Sequence, residues 1–66
     1  MTPELFTEIT GYKLVFQRIV SSPLCEYKID TKDSFYQIFN TIQDCFDKTG
    51  EQFQVEIHDN DVLVYL

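Results

Sequence analysis

TKDSFYQIFNTIQDCFDK, residues 31–48, places its apolar side chains at Phe35, Ile38, Phe39, Ile42, Cys45 and Phe46. These positions recur at helical spacing and fall on one stripe, so the segment predicts an amphipathic helix that covers a core, with Phe39 at the centre of the buried face. Gln37, Asn40, Thr41, Gln43, Asp44 and Asp47 take the opposite face. Asp30, Thr31 and Asp33 offer capping oxygens and early negative charge for the helix dipole. Lys48 sits in the last turn, and Gly50 can take the left-handed stop.

The segments on either side read as strands. Upstream, Tyr12–Val20 (YKLVFQRIV) is β-rich and apolar on both parities: Tyr12, Leu14, Phe16 and Val20 on one, Val15 and Ile19 on the other. That composition predicts a central strand. After the turn residues Ser21, Ser22 and Pro23, Cys25, Tyr27 and Ile29 alternate with Glu26 and Lys28, which predicts an outer strand wetted on one face. Downstream, Phe53, Val55 and Ile57 alternate with Gln52, Gln54, Glu56 and His58. A turn at His58–Asp61 then leads into Val62–Leu66, apolar on both parities and again central. At the N-terminus, Thr2, Pro3 and Glu4 suit the start of a short helix with Leu5, Phe6 and Ile9 on its apolar face and Gly11 as its stop. The alternative is a strand over Phe6–Ile9 that turns at Thr10-Gly11.

A helix of about 16 residues spans roughly 24 Å, enough to return the chain along the sheet and set strand 3 parallel to strand 2. Short connections keep 1 beside 2 and 3 beside 4. Placing the two apolar strands in the middle gives an α+β domain, (α)ββαββ, with one main helix on a four-stranded mixed sheet in the order 2-1-4-3. Over residues 12–66 this element order resembles the β-grasp arrangement of ubiquitin-like domains. The resemblance lies in element order alone and implies no function. A chain ending Tyr65-Leu66 is expected to carry no Gly-Gly conjugation tail.

Sixty-six residues make a single domain, 1–66, whose small core must be used economically. With 44% hydrophobic and 15% aromatic residues the chain is too apolar to stay disordered. It has no Ala and one Arg, while Ile, Phe, Tyr, Asp and Lys are plentiful, a bias expected of AT-rich coding sequence such as that of a phage. A formal charge of −6 repels phosphate backbones, so direct nucleic-acid binding is not expected and a basic protein partner is. The first residues show no secretory signal pattern and no run is long enough to span a membrane, from which a cytoplasmic protein is expected. Cys25 and Cys45 read as reduced core thiols, with pairing between them as the alternative.

Catalytic patterns are weak. The one histidine, His58, reads as a turn residue remote from both cysteines. Glu56, His58, Asp59 and Asp61 have neither EF-hand nor zinc spacing and read as a solvated acidic turn. No Gly-rich phosphate loop is present. The expectation is therefore a protein that is not an enzyme, with no cofactor and no metal.

Two surfaces remain. On the sheet face away from the main helix, Val15, Ile19, Leu63 and Tyr65 are expected to lie together, with Phe16 or Tyr12 at the rim if the parity differs. Either the N-terminal segment covers them through Leu5, Phe6 and Ile9, or they form a partner or dimer surface. The second surface gathers Asp44, Asp47, Glu51, Glu56, Asp59 and Asp61 around Lys48 as the only local cation. It serves solubility, or it mimics phosphates and blocks a basic groove. The leading expectation is a small acidic protein that binds and regulates or inhibits another protein, such as a phage-encoded regulator of a host protein. The alternative is a self-assembly subunit that homodimerises through its open sheet face or an edge strand.

Overall fold

Ser34 starts the long helix with a capping box. In the computed structural model, which describes residues 1–66, its hydroxyl accepts from the Gln37 N–H at 3.2 Å while the Gln37 side chain accepts from the Ser34 N–H at 3.1 Å. Asp30, Thr31 and Asp33 are therefore not the cap, because only Ser34 stands three residues ahead of a glutamine that can reach back. Along the chain run α1 (Pro3–Thr10), β1 (Lys13–Ser21), β2 (Leu24–Asp30), α2 (Phe35–Thr49), β3 (Gln54–His58) and β4 (Asp61–Tyr65). The N-terminal segment is a helix, capped by the Thr2 side chain and stopped at Gly11 in the left-handed region, as Gly50 stops α2.

The strands form one sheet in the order β1-β2-β4-β3, antiparallel at every pairing. The α+β class, the two hairpins, the central β4 and the common direction of β2 and β3 agree with the sequence reading. The order 2-1-4-3 and the mixed sheet do not, because β2 rather than β1 lies against β4. Glu26 and Lys28 made β2 read as an outer strand, yet both find cross-strand company in the middle: Glu26 lies between Arg18 and Tyr65, Lys28 between Val15 and Leu63. A central strand tolerates polar residues where no helix covers that face.

Both helices lie on the other face. Phe6 of α1 joins Ile38 and Ile42 of α2 and Ile29, Val62 and Val64 of the sheet in one core. Phe6 and Phe46 each meet the ring of Phe53 edge-on, with centroids 5.7 and 4.8 Å apart. The Met1 side chain is buried, and its ammonium pairs with Glu51 at 3.1 Å. Leu5, Phe6 and Ile9 thus do not fold across the open sheet face, because α1 runs alongside α2. Tyr12 is a core residue whose hydroxyl donates to Asp33 at 2.7 Å, tying the start of β1 to the approach to α2. Burial raises its pKa.

Phe39 departs from the sequence reading. It keeps 37% of its surface, while Ile38, Ile42 and Cys45 are the buried residues of α2. The stripe is wider than the core beneath it, and Phe35 and Phe39 lie along its margin. Phe39→Ala is accordingly expected to cost about 1–2 kcal/mol, below the roughly 3–5 kcal/mol of a fully buried phenylalanine. Urea unfolding at neutral pH measures it, and a loss at the upper end would place Phe39 in the core after all.

Candidate interaction surface

β1 has the composition of a central strand and the position of an edge. Its sequence KLVFQRIVS pairs with β2 on one side and with nothing on the other, so the outward backbone N–H and C=O groups, on about every second residue of the strand, lack a strand partner. Its apolar side chains are correspondingly open: Val15 is 40% exposed, Phe16 55%, Ile19 64% and Val20 39%. Neither helix covers these residues, and Phe16 alone among them has an aromatic neighbour, Tyr27.

The register explains how they are shared between the faces. Leu14 is opposite Ile29 and Phe16 opposite Tyr27, which puts both on the helix side. The ladder then slips between Phe16 and Arg18, and again between Ile19 and Ser21. Gln17 is the extra residue of the first bulge. Arg18 therefore lies opposite Glu26 on the open face, and Ile19 lies opposite Cys25 on the helix side. Ile19 is thus not with Val15, Leu63 and Tyr65, contrary to the alternation read from the sequence. It extends the surface of Phe16, whose ring meets Tyr27 edge-on at 5.9 Å. Between this part of the hairpin and α1 lies an open groove of about 460 Å³, lined by Pro3, Glu4, Thr7, Leu14, Phe16 and Tyr27.

Across the open face the expected apolar patch is largely closed over. Leu63 and Tyr65 are buried there, and Val15 alone remains exposed at the edge. Tyr65 Oη lies 2.9 Å from Glu26 Oε1 and 3.1 Å from Glu56 Oε1, with one proton to share between them. Arg18 donates to Glu26 at 3.2 Å, His58 meets Glu56 at 2.8 Å, and the Gln54 amide also donates to Glu56. Desolvation, then the hydrogen bonds to Glu26 and Glu56, push the Tyr65 hydroxyl up to about 12. The bonds from His58 and then Tyr65 hold Glu56 below the ordinary carboxylate value.

The acidic residues do not form one row. Asp44 and Asp47 are exposed on α2, where Asp47 accepts from the Gln43 amide, Glu51 is taken by the N-terminal ammonium, Glu56 belongs to the network on the opposite side of the sheet, Asp59 lies in the exposed β3–β4 turn and Asp61 starts β4. β1 differs from every other element in carrying no carboxylate, although the chain is at −6 overall. Its charges are Lys13 and Arg18, the latter already compensated by Glu26.

No family model, curated protein or solved structure matches this chain. Its chemistry must be judged from its own side chains. Cys25 and Cys45 are both free thiols, and burial raises the Cys45 pKa. No helix is long and apolar enough to cross a membrane. The sequence placed Val15 on the open face, where it lies exposed, and Phe16 at a rim, but gave no sign of the Arg18–Glu26–Tyr65–Glu56 network. Its members come from four strands whose order the sequence does not give, and Arg18 reaches the open face only beyond the bulge at Gln17.

Proposed function

We propose that this chain is a non-enzymatic protein-binding module, a small regulator or assembly subunit, whose contact is made along β1 by addition of a strand. One observation carries the reading: a nine-residue strand with apolar side chains exposed on both faces occupies an edge that no other element covers. Edge strands of soluble proteins are ordinarily blunted by charge, proline, shortness or bulges. β1 is long and has no proline, and its bulges leave Phe16 and Ile19 exposed. Strand addition would satisfy the outward backbone groups and cover the side chains on both faces in one step. The groove-blocking reading has less support, because the carboxylates are divided between two faces and three of the six, Asp47, Glu51 and Glu56, already accept hydrogen bonds within the chain.

A photo-reactive side chain placed at position 16 or 19 in the producing cell is expected to give light-dependent adducts with protein, whether a second copy or another chain. The same group at position 43, on the exposed side of α2, serves as the control. Adducts from position 43 alone, or none from a folded chain, would remove β1 as the contact.

A further inference from the structure

We infer that the strand received by β1 is β1 of a second copy, so that two chains join their sheets into one. This rests on the reading of β1 as a contact edge and names its occupant. Antiparallel pairing centred between Gln17 and Arg18 sets Phe16 opposite Ile19 of the second copy, Val15 opposite Val20, and Gln17 opposite Arg18. Phe16 and Ile19 lie on the same face of the sheet only because of the bulge at Gln17, and directly opposed residues of an antiparallel pair must share a face. The bulge that removes Ile19 from the open face is therefore what makes β1 complementary to itself. The two-fold axis stands perpendicular to the sheet, both helix layers stay on one side, and the four side chains of Phe16 and Ile19 from the two copies form one apolar cluster. Such a contact is isologous and closed.

Charge points to the same edge. Two copies at −6 repel through any surface rich in carboxylates, and β1 is the one element that has none. Arg18 is held by Glu26 of its own chain at 3.2 Å and meets the neutral Gln17 of the other. Lys13, at the far end of the strand, lies opposite the hairpin turn, away from its own counterpart. No like charges are directly opposed in this register.

The area limits the contact to a small, weak dimer. Nine residues make an edge roughly 30 Å long. The whole molecule is 16 Å in its thinnest extent and the helices stop short of β1, so the edge offers at most about 500 Å² per copy, or about 1,000 Å² in all, the lower bound for a specific interface. A contact this small is expected to dissociate at micromolar concentrations or above, although area alone does not set affinity, and β3, with five residues that include Glu56, remains the free outer edge of the dimer.

Sedimentation of the purified chain from low micromolar to submillimolar concentration tests this directly. The mass is expected to rise from 7.8 kDa toward twice that value. Phe16→Lys and Ile19→Glu alter exposed side chains and should leave the fold intact by circular dichroism. Each alone is expected to weaken dimerisation at least about tenfold by burying unpaired charge. Mixed together they are expected to associate again, because one Lys–Glu pair and one native Phe16–Ile19 pair then meet across the axis. A parent chain that stays monomeric throughout, a dimer indifferent to both variants, or a mixture no better than its components would each overturn the inference. If the parent is monomeric while positions 16 and 19 still give adducts with a foreign protein, the second copy is wrong and the contact edge stands. If neither occurs, both readings fall.

Discussion

Phe6→Ala is expected to leave the chain largely unfolded at room temperature. Phe6 is fully buried and joins three parts of the molecule: the interior positions Ile38 and Ile42 of α2, the ring of Phe53 before β3, and the sheet residues Ile29, Val62 and Val64. Truncation of a buried phenylalanine costs about 3–5 kcal/mol, the transfer term plus the cavity that remains. A domain of this length has roughly 3–10 kcal/mol in total, so the loss consumes much or all of it. Surroundings offer little relaxation, because Phe53 is also held edge-on by Phe46. Far-UV circular dichroism and the urea midpoint measure the effect. A variant that melts within a few degrees of the parent would mean that α1 contributes little, and the arrangement of both helices on one face would lose its principal support.

The contrast between Phe6 and Phe39 shows where sequence periodicity stops being informative. Spacing identifies which residues share a helix face, and it located α2, its Gly50 stop and the short α1 correctly. It does not give the width of the surface beneath that face, so the marginal Phe39 looked as central as Ile38 or Ile42. The hairpins were legible because turn residues and alternation are local properties. The neighbour of β4 was not, because apolar side chains on both parities describe a strand that needs cover on both faces, whether from its own chain or from another. β1 has that composition and no cover. β2 has Glu26 and Lys28, which a local reading assigns to the edge, and which Tyr65, Arg18, Val15 and Leu63 accommodate in the middle. Ile19 was lost to a single residue: the bulge at Gln17 reverses the alternation beyond it, and no pattern in KLVFQRIVS announces where the ladder slips.

Tyr65→Phe is expected to destabilise the protein at neutral pH and to flatten its stability profile at both ends. The substitution keeps the ring and removes only the hydroxyl that bridges Glu26 and Glu56. Glu26 is buried and would retain Arg18 as its remaining partner, and the loss of one hydrogen bond to a charged acceptor costs about 1.5–3 kcal/mol. In the parent, Tyr65 ionises at about 12 rather than 10.0. The stabilisation linked to this raised value is complete below pH 10 and is lost as pH rises toward 12. Tyr12 and Tyr27, both raised by burial, remain in the variant and still contribute a loss there, so the variant should show a shallower alkaline decline rather than none. On the acid side Glu56 is lowered from 4.5, first by His58 and then by Tyr65. Its contribution is present above that ordinary value and disappears as pH falls through the lowered one, and removal of the hydroxyl reduces it. The gap between parent and variant should therefore be widest between about pH 5 and 10 and should narrow outside that window. Urea unfolding at neutral pH, below pH 4.5 and between pH 10 and 12 measures it, with the 295 nm phenolate absorbance reporting whether the tyrosine that titrates near 12 has gone. A gap that is constant with pH would mean that packing of the ring, and not the shared proton, accounts for the loss, and the network across the open face would then be an incidental contact.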